Sequence, residues 1–261
     1  MIVRGVMAML LVCALGFGSA ASAEEPTPEA APPADPKAEP RAKAATKNAG
    51  AAEAPAPSKA DMVPTWYAQA LAQGPGGLNS SHFWSKGSKF RAETVVSGHK
   101  VVTIVNGEWY IAYDATKGLG IRVHRTPEAL ANEAPFKRPF GNEAVKLIKR
   151  GGEKIRDEVF HGRPAVVYQL TDNLGRRTIW ATQDALNIPL RIEFYNRRTA
   201  TEQSTDYIDW LTGLVIPDIF FEADPRIDIT SYEFSEYARF TGKVGGVGPV
   251  PVLYMDLLRG R

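Results

Sequence analysis

The stretch that most constrains the fold is LNIPLRIEFYNRRTATEQSTDYIDWLTGLVIPDIFFEADP, residues 186–225. Apolar and charged residues alternate near its start, so Leu190, Ile192 and Phe194 are predicted to face one way and the charged residues between them the other. A period of two is typical of a strand with one face on an apolar interior and one face in water. Residues 201–210 follow a short turn and are predicted to be the hairpin partner of this strand.

The N-terminus has the pattern of a secretory signal peptide. Arg4 precedes a run of apolar and small residues that ends in the tripeptide Ala-Ser-Ala at 21–23. A charged start, an apolar middle and a small-x-small end are the parts of such a signal, so we expect residues 1–23 to be cleaved off. The alternative is that the segment is retained as a membrane anchor. Cleavage removes Cys13, the only cysteine, and leaves a mature protein without disulfides or thiol chemistry.

Residues 24–60 differ in composition from the rest of the chain. They contain no Val, Ile, Leu, Met or aromatic residue, and they are rich in alanine, proline and mixed charges. Such a segment buries too little apolar surface to offset the entropy of ordering, so we predict a disordered linker or tail. The folded domain is then residues 61–261. The formal net charge of +2 is close to neutral and gives no support for a nucleic-acid partner.

The remainder of the chain is dominated by strand patterns with short turns. A short helix is predicted from Pro64 to Gln73, and helix formers recur over residues 126–152. The Asn-Gly pair at 106–107 is a strong hairpin signal, because both residues tolerate the positive φ of a tight turn. Further strands are predicted at residues 89–97, 100–105, 108–114, 157–162, 163–170, 176–182 and 228–234. The predicted fold is mainly β with small helices: a curved antiparallel sheet, forming a half-barrel or open β-barrel, that covers lid helices.

Four segments carry a family resemblance. They are KGSKFRAE (86–93), NGEWYIAYD (106–114), GRRTIWATQDALNIPLRIEFYN (175–196) and DYIDWLTGLVIPDIFFEADP (206–225). In this order and spacing they resemble the periplasmic lipoprotein carrier family, which is LolA-like and includes the related LolB and RseB-type domains. The chain departs from carriers in its short first helix, where carriers have a longer helix and an additional strand. It also has Gly87 in place of a basic residue that latches the lid, so either the latch is absent or Lys86 or Lys89 serves in its place.

The resemblance implies a curved sheet wrapped over small helices around an apolar cavity. Family members hold the acyl chains of lipoproteins in transit to the outer membrane, or sense them. By resemblance we expect a monomeric periplasmic carrier whose partners are lipoprotein acyl chains or lipid, with an envelope membrane protein as a further partner. An apolar cavity suits such a ligand, because each CH₂ left in water costs about 0.8 kcal/mol. The residues predicted to line it are Phe90, Ile104, Ile111, Tyr113, Trp180, Leu190, Ile192 and Phe194.

Two alternatives to a carrier stay open. One is a non-transporting sensor or scaffold, in which the same residues fill an ordinary core. A deep apolar cavity would favour the carrier, whereas a space packed with Trp and Phe would favour the scaffold. The other alternative is an enzyme whose site is not recognisable in the sequence.

The sequence shows no recognisable catalytic constellation. The four histidines lack metal-ligand spacing, the chain has no GxSxG or SxxK motif, and the glycine-rich residues 245–248 follow no βα unit. We therefore expect no enzymatic activity, no metal and no cofactor.

Two arginine pairs, at 176–177 and 197–198, flank adjacent predicted hairpin loops. Such a charge run is typical of a solvated face. It would also suit a basic rim for lipid headgroups or for an acidic partner. Of these two interpretations, the pattern favours the solvated face.

Overall fold

The computed structural model describes residues 63–241 and 250–260. The predicted signal peptide at 1–23, the predicted disordered segment at 24–60 and the glycine-rich residues 245–248 lie outside the described residues. No helix in the described ranges has the length and apolar character that spanning a membrane requires.

The described part of the chain contains twelve strands and four short helices. The strands are β1 (Thr65–Gly74), β2 (Gly77–Lys86), β3 (Lys89–Val96), β4 (His99–Asn106), β5 (Trp109–Asp114), β6 (Leu119–His124), β7 (Glu153–Phe160), β8 (Arg163–Asp172), β9 (Gly175–Thr182), β10 (Pro189–Asn196), β11 (Thr201–Thr212) and β12 (Asp228–Tyr232). The helices are α1 (Pro127–Glu133), α2 (Glu143–Lys149), α3 (Phe234–Thr241) and α4 (Met255–Arg259), and one 3₁₀ turn covers Asp218–Phe221. All strands belong to a single sheet in the order β12-β6-β5-β4-β3-β2-β1-β11-β10-β9-β8-β7.

The predicted fold class is confirmed. The protein is mainly β, and its sheet is curved and unclosed. Strands β1 to β6 form one antiparallel meander, strands β7 to β11 form a second, and the pairing of β1 with β11 joins the two. Strand β12 departs from the antiparallel pattern, because it runs parallel to β6 at one edge of the sheet.

The predicted helix at Pro64–Gln73 is wrong, because this segment forms strand β1. Trp66, Ala68 and Ala70 are buried and alternate with more exposed residues. Strand β1 pairs with β2 along one side and with β11 along the other. Pairing on both edges outweighs the helix propensity of its alanines, which is worth less than about 1 kcal/mol per residue. The glycine-rich residues 74–77 that follow form the hairpin turn into β2.

The helices pack on one face of the sheet, called the helical face below. Helix α2 contacts β8 and β9, α3 contacts β6, and α1 contacts α4. Side chains from β1 to β6 pack in one buried cluster with residues of α3, of α4 and of the segment 250–254 that precedes α4. Its most deeply buried members include Ala68, Phe90, Val105, Tyr110, Ala112, Ile121, Val123 and Leu258.

The opposite face carries residues 214–223, called the strap below. Its inner side chains Leu214, Ile216, Phe220 and Phe221 pack in one cluster with Val102, Ile104 and Tyr113. The Nζ atoms of Lys86 and Lys89 lie 2.9 and 3.2 Å from Asp218 Oδ1 on the strap. Lys86 also donates to the Ile216 carbonyl oxygen at 3.1 Å. Lys86 and Lys89, which the resemblance suggests as the lid latch, therefore bind the strap to the sheet through Asp218.

Candidate functional site

The eight residues predicted to line one cavity are divided between the two faces of the sheet. The helical face holds Phe90, Ile192 and Phe194, the strap covers Ile104, Ile111 and Tyr113, and Trp180 and Leu190 form a small separate cluster on the strap side. They do not surround one space. Contact of any of them with a ligand stays a prediction.

The alternation predicted around Leu190 is wrong at that residue. The register of β10 against β9 shifts there, which makes Leu190 a β-bulge. A bulge inserts one residue, so side chains before it no longer follow the alternation of those after it. Leu190 therefore packs with Trp180, whereas Ile192 packs with residues of α2.

Aromatic side chains fill the centre of the helical face. Phe140 and Trp210 stack with their ring centroids 5.5 Å apart and their planes 9° from parallel. The Phe140 centroid is also 5.5 Å from that of Phe83 and 5.8 Å from that of Phe90. Tyr254 meets both of these phenylalanines edge-on. Such pairs contribute about 0.5–1.5 kcal/mol each beyond their burial. The centre of the helical face is thus occupied by side chains of the protein itself.

A buried arginine lies beside these rings. The Arg138 guanidinium carbon is 4.9 Å from the centroid of Trp66 and 5.7 Å from that of Trp210. Arg138 also donates to the carbonyl oxygens of Phe140 at 3.1 Å and Gly141 at 2.8 Å. Burial lowers the pKa of Arg138, although a guanidinium remains charged in proteins. Arg138 therefore links the loop between α1 and α2 to strands β1 and β11.

Glu143 places a buried carboxyl at the start of α2, next to Tyr207. The Tyr207 hydroxyl is hydrogen-bonded to this carboxyl, whose buried Oε2 atom has no hydrogen-bond partner among the described residues. Burial raises the pKa of Glu143, and the nearby charges of Lys146 and Arg138 offset this only in part. Burial also raises the pKa of Tyr207 well above its usual range. The interior therefore favours the protonated form of Glu143.

We expect Glu143→Gln to stabilise the protein at mildly alkaline pH and to change its stability little at acidic pH. A folded-state pKa above the unfolded-state value means that stability is full at low pH and falls as pH rises from the unfolded towards the folded pKa. Glutamine keeps an acceptor for the Tyr207 hydroxyl and removes the charge. Urea unfolding across this pH range measures the difference, which should grow with pH. A difference that stays constant or shrinks with rising pH would contradict this expectation.

The C-terminal segment 250–260 covers part of the helical face. Val250 is 1% exposed and Leu258 is 0% exposed. The residues between Val250 and α4 belong to no strand or helix. Within them the Tyr254 N–H donates to the Tyr110 hydroxyl at 3.3 Å. Side-chain packing therefore holds this segment, together with hydrogen bonds such as those from Arg125 Nε to the Leu257 carbonyl oxygen at 2.7 Å and from Thr126 N–H to the Leu258 carbonyl oxygen at 3.0 Å, and strand pairing does not.

Two cavities lie outside the stacked rings of Phe83, Phe90, Phe140 and Trp210. One cavity of about 350 Å³ is lined by residues of β1, β9, β10 and β11, among them Arg176 and Tyr195. Another of about 350 Å³ lies between the strap and strands β5, β6 and β12, beside Trp109 and Arg122. These volumes are at the lower end of the roughly 300–1,000 Å³ range of small-molecule sites. Residues 63–241 and 250–260 contain no group of three or more His, Cys, Asp or Glu placed to hold a metal ion.

No family model matches the sequence, and no curated protein matches it. Solved structures do match. An uncharacterized conserved protein from Thermus thermophilus has a TM-score of 0.48 at 8% identity, covering 67% of this chain and 94% of that one. The Pseudomonas aeruginosa MucA/MucB complex has a TM-score of 0.42 at 13% identity, covering 67% and 60%. A putative outer membrane lipoprotein-sorting protein domain from Vibrio parahaemolyticus has a TM-score of 0.31 at 14% identity, covering 62% and 90%.

The solved structures that match include proteins of the LolA/RseB type, so the predicted resemblance is confirmed at the level of the fold. Because the identities are between 8% and 14% and each TM-score is below 0.5, these matches show nothing about what this chain does. What the similar proteins bind is not carried over to this chain. The chain also spans only 60% of the matched MucB-complex chain.

Arg138, Glu143 and the C-terminal segment are features that the sequence did not reveal. Nothing local distinguishes Arg138 from its neighbour Lys137, since the contacts that bury it come from β1 and β11. The apolar run VPVLYM at 250–255 was a visible signal of a buried segment. Its place on the helical face depends on contacts with strands far away in the chain.

Proposed function

We propose that the protein is a periplasmic binding protein that accepts an acyl chain of a lipoprotein or lipid on its helical face. The observation that carries the proposal is that segment 250–260 covers this face with apolar side chains. An acyl chain offers the same kind of contact, at about 0.8 kcal/mol for each CH₂ removed from water. In this proposal the C-terminal segment protects the apolar face when the ligand is absent. The proposal includes no catalytic role.

The manner in which the segment is held supports an exchange of this kind. A strand added to the sheet would satisfy its backbone groups through a ladder of hydrogen bonds, and an acyl chain cannot replace such a ladder. Residues 251–254 form no strand, and Leu257 and Leu258 contact the sheet through their side chains. Displacing the segment therefore breaks no strand ladder, and the incoming chain restores its apolar contacts. It does break the hydrogen bonds that the Leu257 and Leu258 carbonyl oxygens accept from Arg125 and Thr126 at 2.7 and 3.0 Å.

A sensor or scaffold with a permanently filled core is the second candidate. It is favoured by the close stacking of Phe140 on Trp210 and by their contacts with neighbouring rings. In that case the C-terminal segment is an ordinary part of the core. Its removal then destabilises the protein and opens no binding site.

Uptake of a fluorescent fatty acid separates the two candidates. We expect removal of residues 250–261 to tighten uptake roughly tenfold or more, because the ligand no longer competes with the segment. Leu258→Ser is a second variant that weakens the segment without deleting it. Leu78→Ser is the matched control, because Leu78 is 67% exposed at the turn between β1 and β2.

Native mass spectrometry of the purified protein provides an independent measurement. A co-purifying lipid or lipopeptide supports the carrier. The carrier proposal fails if the protein is free of lipid and if neither the wild type nor a folded variant takes up the fatty acid. Circular dichroism of each variant shows whether it is folded.

A further inference from the structure

The turns that end β8 and β10 lie side by side at one end of the sheet. The first joins β8 to β9 around Leu174, and the second joins β10 to β11 around residues 197–200. The Arg197 N–H donates to the Leu174 carbonyl oxygen at 3.0 Å. Gly175 packs so closely on the Tyr195 carbonyl that a Cβ at position 175 would lie 1.8 Å from its oxygen. The two turns therefore form one continuous surface.

This surface is rich in arginine and is called the arginine end below. Arg176, Arg197 and Arg198 are exposed, and none of their guanidinium groups has an ion pair within residues 63–241 and 250–260. Arg177 is also on β9 but is buried, and its Nη1 atom lies 3.3 Å from Asp172 Oδ2. Burial lowers the pKa of Arg177, as does the positive charge of nearby Arg150, while Asp172 raises it. Three exposed arginines and the buried Arg177 therefore lie at this end of the sheet.

The acidic residues at this end do not neutralise it. Asp172 accepts from the Leu174 and Gly175 N–H groups at 2.9 and 3.1 Å, in addition to its pair with Arg177. Strands β10 and β11 carry further carboxylates, of which Glu193 is paired with Arg191 at 2.9 Å. Glu202 lines the cavity beside Arg176. The exposed part of the arginine end therefore keeps a net positive charge.

We infer that the arginine end docks on an anionic phospholipid surface, with Arg176, Arg197 and Arg198 contacting headgroup phosphates. A guanidinium can donate two parallel hydrogen bonds to a phosphate, and it loses less hydration than an ammonium group does. Leu174 is 39% exposed between these arginines and supplies an apolar side chain that enters the interface. An apolar residue set among cations is typical of interfacial membrane contact. A purely acidic protein segment gives this leucine nothing to contact.

The N-terminal part of the chain is a poorer occupant of this surface. Residues 24–60 contain six acidic and five basic side chains, so they offer almost no net negative charge. An anionic bilayer matches the arginine end in both charge and extent, because it presents phosphates at every position that the three side chains can reach. This docking is independent of the acyl-binding proposal, since the arginine end lies outside the helical cluster.

Vesicle co-sedimentation tests the inference on the protein as purified from cells. Vesicles of phosphatidylglycerol and phosphatidylcholine are compared with vesicles of phosphatidylcholine alone, so that binding through other apolar segments appears equally in both. We expect binding to the anionic vesicles at physiological salt, weakened by added salt. The triple variant R176Q/R197Q/R198Q should bind roughly 10- to 100-fold more weakly, because each arginine near such a surface contributes about 1 kcal/mol.

The matched control is R163Q/R226Q/R239Q, which removes the same charge from exposed positions elsewhere. It should bind like the wild type, and Leu174→Ser should bind several-fold more weakly. Equal loss of binding in both triple variants would show a general charge effect and overturn the inference. So would equal binding of the wild type to both kinds of vesicle. Binding to a polyglutamate peptide without binding to anionic vesicles would assign the surface to an acidic protein instead.

Discussion

Arg138→Ala is expected to destabilise the protein by about 3 kcal/mol or more. The substitution leaves the carbonyl oxygens of Phe140 and Gly141 without their charged donor, and each such hydrogen bond is worth about 1.5–3 kcal/mol. It also removes the guanidinium from the rings of Trp66 and Trp210 and leaves a cavity beside them. The substitution also removes the cost of burying a cation, and this reduces the net loss of stability. Urea unfolding followed by tryptophan fluorescence measures the loss.

Arg163→Ala is the control for this substitution. Arg163 is exposed at the turn between β7 and β8, so its loss should change the free energy of unfolding by less than about 0.5 kcal/mol. Arg138→Lys should recover little, because an ammonium group cannot bridge the same carbonyl groups in one plane. A loss below about 1 kcal/mol for Arg138→Ala would mean that water replaces the guanidinium at these carbonyl groups.

Gly175→Ala is expected to cost more than about 4 kcal/mol or to prevent folding. The φ angle of Gly175 is +148°, a region that is open essentially to glycine alone. The added Cβ would lie 1.8 Å from the Tyr195 carbonyl oxygen, so strands β9 and β10 would have to separate at this end. The backbone atoms involved have no freedom to move aside without breaking the pairing. Thermal unfolding and amide exchange in β9 and β10 report the damage.

Gly162→Ala separates this clash from the general cost of replacing glycine. Gly162 has φ +75°, and a Cβ at that position would meet nothing within 4 Å. Its substitution should therefore cost only the intrinsic penalty of the left-handed conformation, about 1–2 kcal/mol. Similar losses for the two variants would show that the turn at Gly175 relaxes easily. The arginine end would then be less rigid than its close packing indicates.

Patterns that depend on one strand and its turn predicted much of the sheet. The Asn-Gly turn at 106–107 and the β-branched and aromatic residues on either side of it predicted β4 and β5 nearly at their observed limits. The two helices between β6 and β7 also followed from local signals, including a Thr126 cap that accepts from Ala129 N–H. These elements were predictable because their own residues carry the preference for the observed structure.

Contacts between distant parts of the chain account for the errors. Strand β1 is rich in alanine and looked helical, and it is a strand because partners lie on both of its edges. Leu190 changed faces because a register shift against β9 makes it a bulge. The packing of segment 250–260 against Phe83 and Phe90 likewise depends on strands far earlier in the chain. A single sequence contains no local record of such partners.

The pairing of β1 with β11 also bears on the order of events in folding. Each meander is made of neighbouring hairpins, whose contacts are close in sequence and form quickly. The meanders meet where Trp66 lies opposite Thr212. Strand β1 is synthesised before the other described strands, yet it can pair with β11 only after β11 has left the ribosome. We therefore expect two half-sheets to form early and the junction between them to close late, after nearly the whole domain has been synthesised.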